Sequence, residues 1–165
     1  MPLLIVRLKT VRIPGKPVKL VYREMLRKIL YPTDFSGCSW KALEYVKKFG
    51  EAGAKEAVIM HVRDARMYAP EIMKKLPKHE QIDIQTLNSI ERELGATGIK
   101  AKTLLVDGIP FVEINKAAEK ENASLIVMGS HGRSMVEEML VGSVCGKIVR
   151  RTKISVLVVT RGMRR

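Results

Sequence analysis

The chain contains 165 residues, of which 46% are hydrophobic, and it carries a formal net charge of +13 at pH 7. The hydrophobic content excludes a disordered polyelectrolyte, and the length suits one domain with a sizeable core rather than two domains. No run reaches the roughly 18 apolar residues of a membrane span, and the apolar run at residues 3–6 is too short for the core of a signal peptide. We therefore expect a cytoplasmic protein without membrane insertion.

The positive charge is concentrated at the two ends of the chain. Residues 1–24 contain six Lys or Arg and one acid, and residues 147–165 contain seven and no acid, so the 122 residues between them carry only +1. In a parallel sheet the first segment would enter at the strands' N-terminal edge and the last would leave at the opposite edge, so the two would not form one patch. No sequence motif typical of nucleic-acid-binding proteins accompanies these basic segments, which argues against nucleic-acid binding as the main function. Attraction of nucleic acid or anionic lipid to these tails is kept as an alternative.

The first 24 residues form a basic N-terminal extension. Apolar and basic side chains alternate over residues 4–13 and 18–22, on either side of a Pro-Gly-Lys-Pro turn, and this pattern is typical of a β-hairpin. A hairpin is marginally stable alone, so it would pack on the body or on a partner. The alternative is that the natural start is Met25 and that the extension is not native.

The first half of the body alternates strand and helix patterns. Residues 28–32 form a short buried strand, and Ser36 is a suitable N-cap for a helix that ends at Gly50. Residues 57–61 form the second strand. Residues 64–78 have no clean period, which predicts a loop or lid with a frayed helix.

The second half continues the alternation. A long helix is predicted over residues 80–96, the third strand over residues 101–106 and a helix from Pro110. The fourth strand occupies residues 125–128 and the fifth residues 154–159. Strands separated by helices of this length pair in parallel through right-handed crossovers. The alternation therefore predicts an α/β fold, with an open five-stranded parallel sheet and helices on both faces.

A glycine pattern lies between the fourth strand and the last helix. Gly129, Gly132 and Gly142 follow the buried run in the spacing G-x2-G-x9-G-S. Glycine lets the backbone approach a bulky anion and adopt φ > 0, and amide N–H groups at a helix start attract phosphate. Ser130 and Ser143 add hydroxyls at the same rim. The spacing is neither the Walker loop nor the Rossmann fingerprint, and it predicts a phosphate cradle.

This loop resembles the nucleotide-binding loop of the universal stress protein family, in the subset whose members bind ATP. Residues 29–36, Ile-Leu-Tyr-Pro-Thr-Asp-Phe-Ser, resemble that family's opening strand, and His61, Val62 and Asp64 resemble the end of its second strand. The resemblance covers residues 25–160, which it defines as one domain, followed by a basic tail of residues 161–165.

The resemblance implies the strand order 3-2-1-4-5, an adenine nucleotide alpha hydrolase-like fold. In such a sheet the connection reverses between the first and fourth strands, and ligands bind at that point, beyond the carboxyl ends of the strands. The loops at residues 32–36 and 129–142 would meet there.

The resemblance also implies which residues bind the nucleotide. The counterpart of Asp34 contacts the nucleoside, and the main chain of the residue that matches Val62 pairs with the adenine edge. Met128 and Gly129 would lie against the ribose and phosphates, and Arg133 would reach a phosphate or be exposed. The full implied set is Pro32, Thr33, Asp34, Val62, Met128, Gly129, Ser130, Gly132, Arg133, Gly142, Ser143 and Val144.

These residues also have structural alternatives. Asp34 is a residue type that closes turns or caps helices, Val62 is an ordinary residue for a strand end, and the glycines suit simple turns. We favour binding for Asp34 because it stands at the switch point of the sheet. His61 is expected to be structural and His131 to face solvent.

A catalytic set is not evident. Phosphoryl transfer usually needs carboxylates that hold metal, and Asp34 is the only acid that the pattern puts in the crevice. Mg²⁺ or Mn²⁺ would enter with the ATP phosphates, and Cys38 and Cys145 are expected to be buried free thiols rather than zinc ligands. We therefore predict a protein that binds ATP, ADP or AMP with at most slow hydrolysis. A true ATPase or phosphotransferase is the alternative.

The resemblance finally implies a nucleotide-dependent stress-response module that forms a homodimer. The strand at residues 154–159 would be an edge strand that pairs across the two-fold axis, because an apolar edge needs a cover.

Overall fold

The computed structural model describes residues 4–7, 23–67, 76–132 and 141–160. The strands are β1 (Leu4–Arg7), β2 (Lys28–Pro32), β3 (Glu56–Arg63), β4 (Lys100–Asp107), β5 (Leu125–Gly129) and β6 (Ser155–Val159). The helices are α1 (Gly37–Glu51), α2 (Leu76–Ala96), α3 (Pro110–Lys120) and α4 (Ser143–Arg151), and a 3₁₀ turn spans Ala65–Met67.

The strands form one sheet in the order β1-β6-β5-β2-β3-β4. The five strands from β2 to β6 are parallel, and counted along the chain they have the order 3-2-1-4-5, so the expected fold is confirmed. β2 is central, with Leu30 in register with Val58 of β3 on one side and Ile126 of β5 on the other. The loops after β2 and β5 therefore start side by side.

β6 is not an edge strand, contrary to expectation, because β1 lies antiparallel along its outer side. The register pairs Leu4 with Val159 and Arg7 with Val156. The physical reason is that every residue of β6 is buried and its apolar edge needs a cover. A dimer formed by pairing of two β6 strands would require β1 to leave.

The path of β1 also corrects the expected position of the N-terminal segment. Because β1 is antiparallel to β6, Leu4 lies at the carboxyl edge of the parallel strands, the same edge at which β6 ends. The proposed second half of the hairpin, residues 18–22, lies outside the described residues.

Two layers of helices cover the sheet, and each encloses a core. Ile29 and Tyr31 of β2 are buried in the layer of α1 and α2, whereas Leu30 is buried in the layer of α3 and α4. This alternation follows from the two-residue period of a strand. Burial on both faces explains why the strands read as continuous apolar runs.

The helix boundaries differ from prediction in two places. α1 continues through Gly50, and the left-handed turn that follows is made by Gly53, with φ +104°. Gly50 is needed for close packing, because a Cβ there would lie 2.9 Å from Ile99 Cδ1. α2 starts at Leu76, inside the segment predicted as a loop, because Pro77 suits the first turn of a helix and does not break it.

The opposite edge of the sheet, where β2, β3 and β4 begin, is held by ion pairs. Glu121 lies 2.7 Å from Lys102 Nζ and 3.1 Å from Lys28 Nζ. The hydrogen bonds from Lys102 and then Lys28 lower the pKa of Glu121. These contacts join two strands to the end of α3.

Cys38 and Cys145 are buried free thiols, as predicted. Burial raises the pKa of Cys145 to about 12. The described residues contain no group of three potential metal ligands, and none of their helices is long and apolar enough to cross a membrane.

Candidate functional site

The loops after β2 and β5 meet at the carboxyl edge of the sheet. Ser36 Oγ donates a hydrogen bond to the main-chain oxygen of His131 at 3.2 Å. A Cβ at Gly132 would lie 2.8 Å from Asp34 Oδ2, so this carboxylate lies directly against the glycine loop. The two loops that the sequence predicts to share the crevice are therefore in contact.

The turn after β2 is fixed by its own side chains. The amide of Ser36 donates to Asp34 Oδ1 at 3.0 Å, and the amide of Phe35 donates to Thr33 Oγ1 at 3.1 Å. Phe35 has φ +61°, a left-handed conformation that these bonds stabilise. Asp34 thus closes the turn with one oxygen and faces Gly132 with the other. A role in closing the turn is therefore compatible with a role in binding.

Ser36 is the N-cap of α1, as predicted, and its Oγ accepts from the amide of Ser39 at 3.4 Å. Ser39 Oγ donates to the carbonyl of Ser36 at 2.8 Å, and Tyr31 Oη donates to the carbonyl of Ser39 at 2.7 Å. Burial raises the pKa of Tyr31 well above its usual value. The start of α1 is therefore tied to β2 by a buried polar network.

The predicted glycines bring the backbone close, but a positive φ is not the reason. Gly142 has φ −67°, and its amide donates to the carbonyl of Ser130 at 2.7 Å. A Cβ at Gly142 would lie 3.0 Å from that carbonyl oxygen. A Cβ at Gly129 would lie 2.8 Å from the main chain of Cys38 and Ser39, so Gly129 is required by the packing of α1. Among the described glycines the positive φ angles belong to Gly53, Gly98 and Gly108.

The amino end of α4 opens at this crevice without a side-chain cap. Its N-cap is Gly142, which has no side chain to accept a hydrogen bond. The first amides of a helix have no partner within the helix, so those of Ser143 and Val144 point out of its end. No side chain among the described residues caps them. This end therefore has the donors and the dipole that attract an anion.

The main chain of Val62 faces the crevice. The carbonyl of Met60 accepts from the amide of Thr33 at 2.8 Å, so it points to the β2 side of β3. Main-chain groups alternate along a strand, so Val62, two residues on, directs its N–H and C=O to the same side. β2 ends at Pro32, opposite Met60, and no described strand lies beside Val62 there.

The remaining predicted residues lie around the same edge. Pro32 ends β2, Met128 is buried near the end of β5, and Ser130 is fully buried. His131 is half-buried rather than solvent-facing, because its Nδ1 lies 2.8 Å from Ser130 Oγ. Arg133 lies outside the described residues.

The structure adds a contact that was not predicted from sequence. His61 is buried, its Nδ1 lies 2.7 Å from the carbonyl of Thr33, and its ring stacks on Phe35 at a centroid distance of 4.5 Å. Its Nε2 lies 3.8 Å from Oδ2 of Asp83, on α2. The structural role expected for His61 agrees with this burial. Asp83 had no signal in the sequence, because only the tertiary fold brings α2 to the end of β3.

Arg63 also joins three elements at this edge. Its Nε and NH2 lie 2.7 and 2.8 Å from the two carboxylate oxygens of Asp107 on β4, and its NH1 lies 3.1 Å from Glu80 on α2. The hydrogen bonds that Arg63 donates to Asp107 are the main cause of the raised pKa of Arg63.

Comparison with known proteins agrees with this fold. The model of the universal stress protein family matches residues 25–160. The universal stress protein MJ0577 of Methanocaldococcus jannaschii is 35% identical over 159 residues, covering 83% of this chain and 96% of that protein. The solved structure of hypothetical protein MJ0577 has a TM-score of 0.74 at 38% identity, covering 85% of this chain and 99% of that chain.

Two further solved structures contain nucleotides. A universal stress protein in complex with cAMP has a TM-score of 0.60 at 24% identity, covering 81% of this chain and 96% of that chain. The universal stress protein from Archaeoglobus fulgidus in complex with dAMP has a TM-score of 0.57 at 14% identity, with the same two coverages of 81% and 96%. These two similarities bear on the fold alone. The family match over most of the chain, together with the 35% identity to MJ0577, establishes that this chain belongs to the universal stress protein family.

Proposed function

We propose that this chain binds an adenine nucleotide, with ATP as the main candidate, at the carboxyl edge of β2, β3 and β5. The observation that carries the proposal is the amino end of α4, which no described side chain caps and which opens beside Gly142 and Ser130. A helix start with free amides attracts phosphate through both hydrogen bonding and the helix dipole. Two members of the same fold bind adenine nucleotides, cAMP and dAMP, and this supports the choice of ligand class.

The site divides into three parts. The phosphates would lie at the amino end of α4, against Gly142, Ser143 and Val144. The nucleoside would lie at Asp34, whose Oδ2 is directed at Gly132. The base would pair with the main chain of Val62, which no described strand covers on the β2 side. The other members of the proposed set, Pro32, Thr33, Met128, Gly129, Ser130 and Arg133, would shape the walls.

The proposed activity is binding rather than committed catalysis. Phosphoryl transfer usually depends on carboxylates that hold metal and a group that positions the nucleophile. The described residues contain no group of three potential metal ligands, so Mg²⁺ or Mn²⁺ would enter with the phosphates. ATP occupancy would then alter the surface that the protein offers to a partner in a stress response. Release of many equivalents of phosphate by the purified protein with Mg²⁺ would instead identify an ATPase.

The direct test is to denature the purified protein and identify the nucleotide that it releases. The variants Gly132→Val and Gly142→Val should lose that nucleotide, because their side chains would press on Asp34 Oδ2 and on the carbonyl of Ser130, respectively. Gly146→Ala in α4 is the matched control, because its Cβ would make an ordinary contact 3.5 Å from Arg150 NH1. Absence of nucleotide in the unmutated protein, together with no thermal shift on adding ATP, would rule out the proposal.

A further inference from the structure

The last residues of β3 contact α2 at two points. Arg63 NH1 lies 3.1 Å from Glu80 Oε2, and His61 Nε2 lies 3.8 Å from Asp83 Oδ2, a contact that is an ion pair only when the imidazole is protonated. Residues two apart on a strand share one face, and residues three apart on a helix share one side. The two pairs therefore bridge one face of β3 and one side of α2, and we refer to them as the β3–α2 clamp.

His61 links this clamp to the turn that contains Asp34. A carbonyl oxygen can only accept a hydrogen bond, so the 2.7 Å contact requires His61 Nδ1 to carry a hydrogen and donate it to Thr33. The ring is buried and is held on one face by Phe35, whose left-handed backbone belongs to the same turn. A movement of His61 would therefore move the main chain just before Asp34.

Arg63 fixes the other side of the same short segment. Its guanidinium makes a two-point contact with Asp107, and its carbonyl accepts from the amide of Gly108 at 3.0 Å. The guanidinium geometry suits such paired contacts with a carboxylate. Arg63 is thus tied to β4 through both its side chain and its main chain, and to α2 through Glu80.

Val62 lies between these two anchored residues. Its side chain packs in the opposite core, with α3 and α4, while its N–H and C=O face the crevice. The positions of these two groups are therefore determined by how His61 and Arg63 are held. The site can distinguish one base from another through the main chain only if the N–H and C=O groups of Val62 stay in place, since hydrogen bonds weaken steeply with misalignment.

We propose that the β3–α2 clamp positions the main chain of Val62 and thereby sets the preference of the site for adenine over other bases. The inference rests on the proposed function. His61, Arg63, Glu80 and Asp83 act here as positioning residues, because none of them has to touch the nucleotide. The phosphate part of the site, at the amino end of α4, is independent of the clamp.

The test compares three ligands on the full chain by titration calorimetry: ATP, GTP and inorganic tripolyphosphate. The unmutated protein should prefer ATP to GTP. The double variant Glu80→Gln and Asp83→Asn should lower that preference by about tenfold, which is the scale of a coupling energy carried by positioning residues. Its affinity for tripolyphosphate should not change, since the charge contacts at α4 are intact.

Three further variants separate positioning from general stability. Glu91→Gln removes one acid from the same helix without a described contact to β3, and it should keep the preference of the unmutated protein. His61→Asn keeps a donor near the carbonyl of Thr33 and should retain more of the preference than His61→Leu. The single variants Asp83→Asn and Glu80→Gln make the same test if the double variant does not fold.

The outcomes distinguish this inference from the function on which it rests. If the unmutated protein binds ATP in preference to GTP and the clamp variants keep that preference, the inference is wrong and nucleotide binding stands. Equal binding of ATP and GTP by the unmutated protein also overturns the inference. If the unmutated protein binds neither nucleotide, both proposals fall.

Discussion

α1 and α4 both begin beside the crevice at the carboxyl edge of the sheet, and their amino ends differ. α1 is capped from within the chain, because Ser36 accepts from the amide of Ser39 and a buried network holds the cap in place. α4 begins at Gly142, which has no side chain that could act as a cap. The difference teaches that a helix start whose amides are already satisfied serves structure. At α4 no described side chain satisfies the first amides, and under the proposed function they would bind the phosphates.

The open end of α4 has a cost that the rest of the helix offsets. Glycine at the N-cap costs only a few tenths of a kcal/mol relative to Ser, Thr, Asn or Asp, so the cost to α4 is small. Buried Cys145 and Ile148 anchor the helix to the sheet. Lys147 and Arg151 lie over the ring of Phe111, at 4.7 and 5.4 Å from its centroid, and Arg151 also complements the carboxyl end of the helix dipole.

The largest effect is expected from a negative charge at the open helix end. Ser143→Asp should weaken ATP binding by at least about tenfold through repulsion of the phosphates, while leaving the protein as stable or slightly more stable, because an acid suits the first turn of a helix. Calorimetric titration and thermal unfolding measure the two quantities. Ser143→Asn is the neutral control. Unchanged ATP affinity in Ser143→Asp would mean that the phosphates bind elsewhere.

The reverse pattern is expected at the capped helix. Ser36→Ala removes the side chain that accepts from Ser39 and should lower the free energy of unfolding by about 1 kcal/mol. Urea unfolding measures this change. Ser143→Ala, at the first position of α4, is the matched variant and should leave stability nearly unchanged. Equal losses in both variants would contradict the distinction between the two helix starts.

A smaller loss of stability is expected when one of the paired charges at the opposite edge of the sheet is removed. Lys102 and Lys28 lower the pKa of Glu121 below its ordinary value of 4.5 in the folded state. The stabilisation is therefore complete above the ordinary pKa and is lost as the pH falls through the lowered one. Because such pairs near the surface contribute about 0.2–1 kcal/mol, Glu121→Gln should be less stable by that amount at neutral pH.

Urea unfolding at neutral and acidic pH checks this dependence. The stability difference between the unmutated protein and Glu121→Gln should shrink towards zero in acid, where Glu121 is protonated. A difference that persists unchanged in acid would assign the effect to packing of the side chain rather than to its charge.

The smallest expected effect is a change in the fraction of dimer when the outer edge of β6, the strand that follows α4, is exposed. Along an antiparallel strand, every second residue forms main-chain hydrogen bonds with the neighbouring strand. Of the two variants Ile5→Pro and Val6→Pro, only one therefore removes a hydrogen bond to β6. That variant should raise the fraction of dimer, measured by light scattering, because it frees an apolar edge. The other variant is its control, and no change in mass for either would contradict a covering role for β1.

Local patterns in the sequence predicted much of this protein. Runs of apolar residues report burial, so the alternation of strands and helices was recovered, with errors of a few residues at the ends. Ser36 and Pro110 were identified correctly at helix starts, because capping and the missing amide of proline act over only one turn. The strand order came from the family resemblance, since periodicity carries no information on which strands are neighbours.

The tertiary structure decided whatever depends on residues far apart in the chain. The pairing of Leu4 with Val159 and the approach of Asp83 to His61 have no local signature. Gly129 illustrates the same limit. The glycine pattern in the sequence predicted that no side chain fits at this position, and only the packing of α1 showed which atoms exclude one. The sequence by itself determined which segments are buried and where glycine interrupts them. The fold determined which buried segments meet, because that choice depends on the packing of the whole core rather than on any one stretch of the chain.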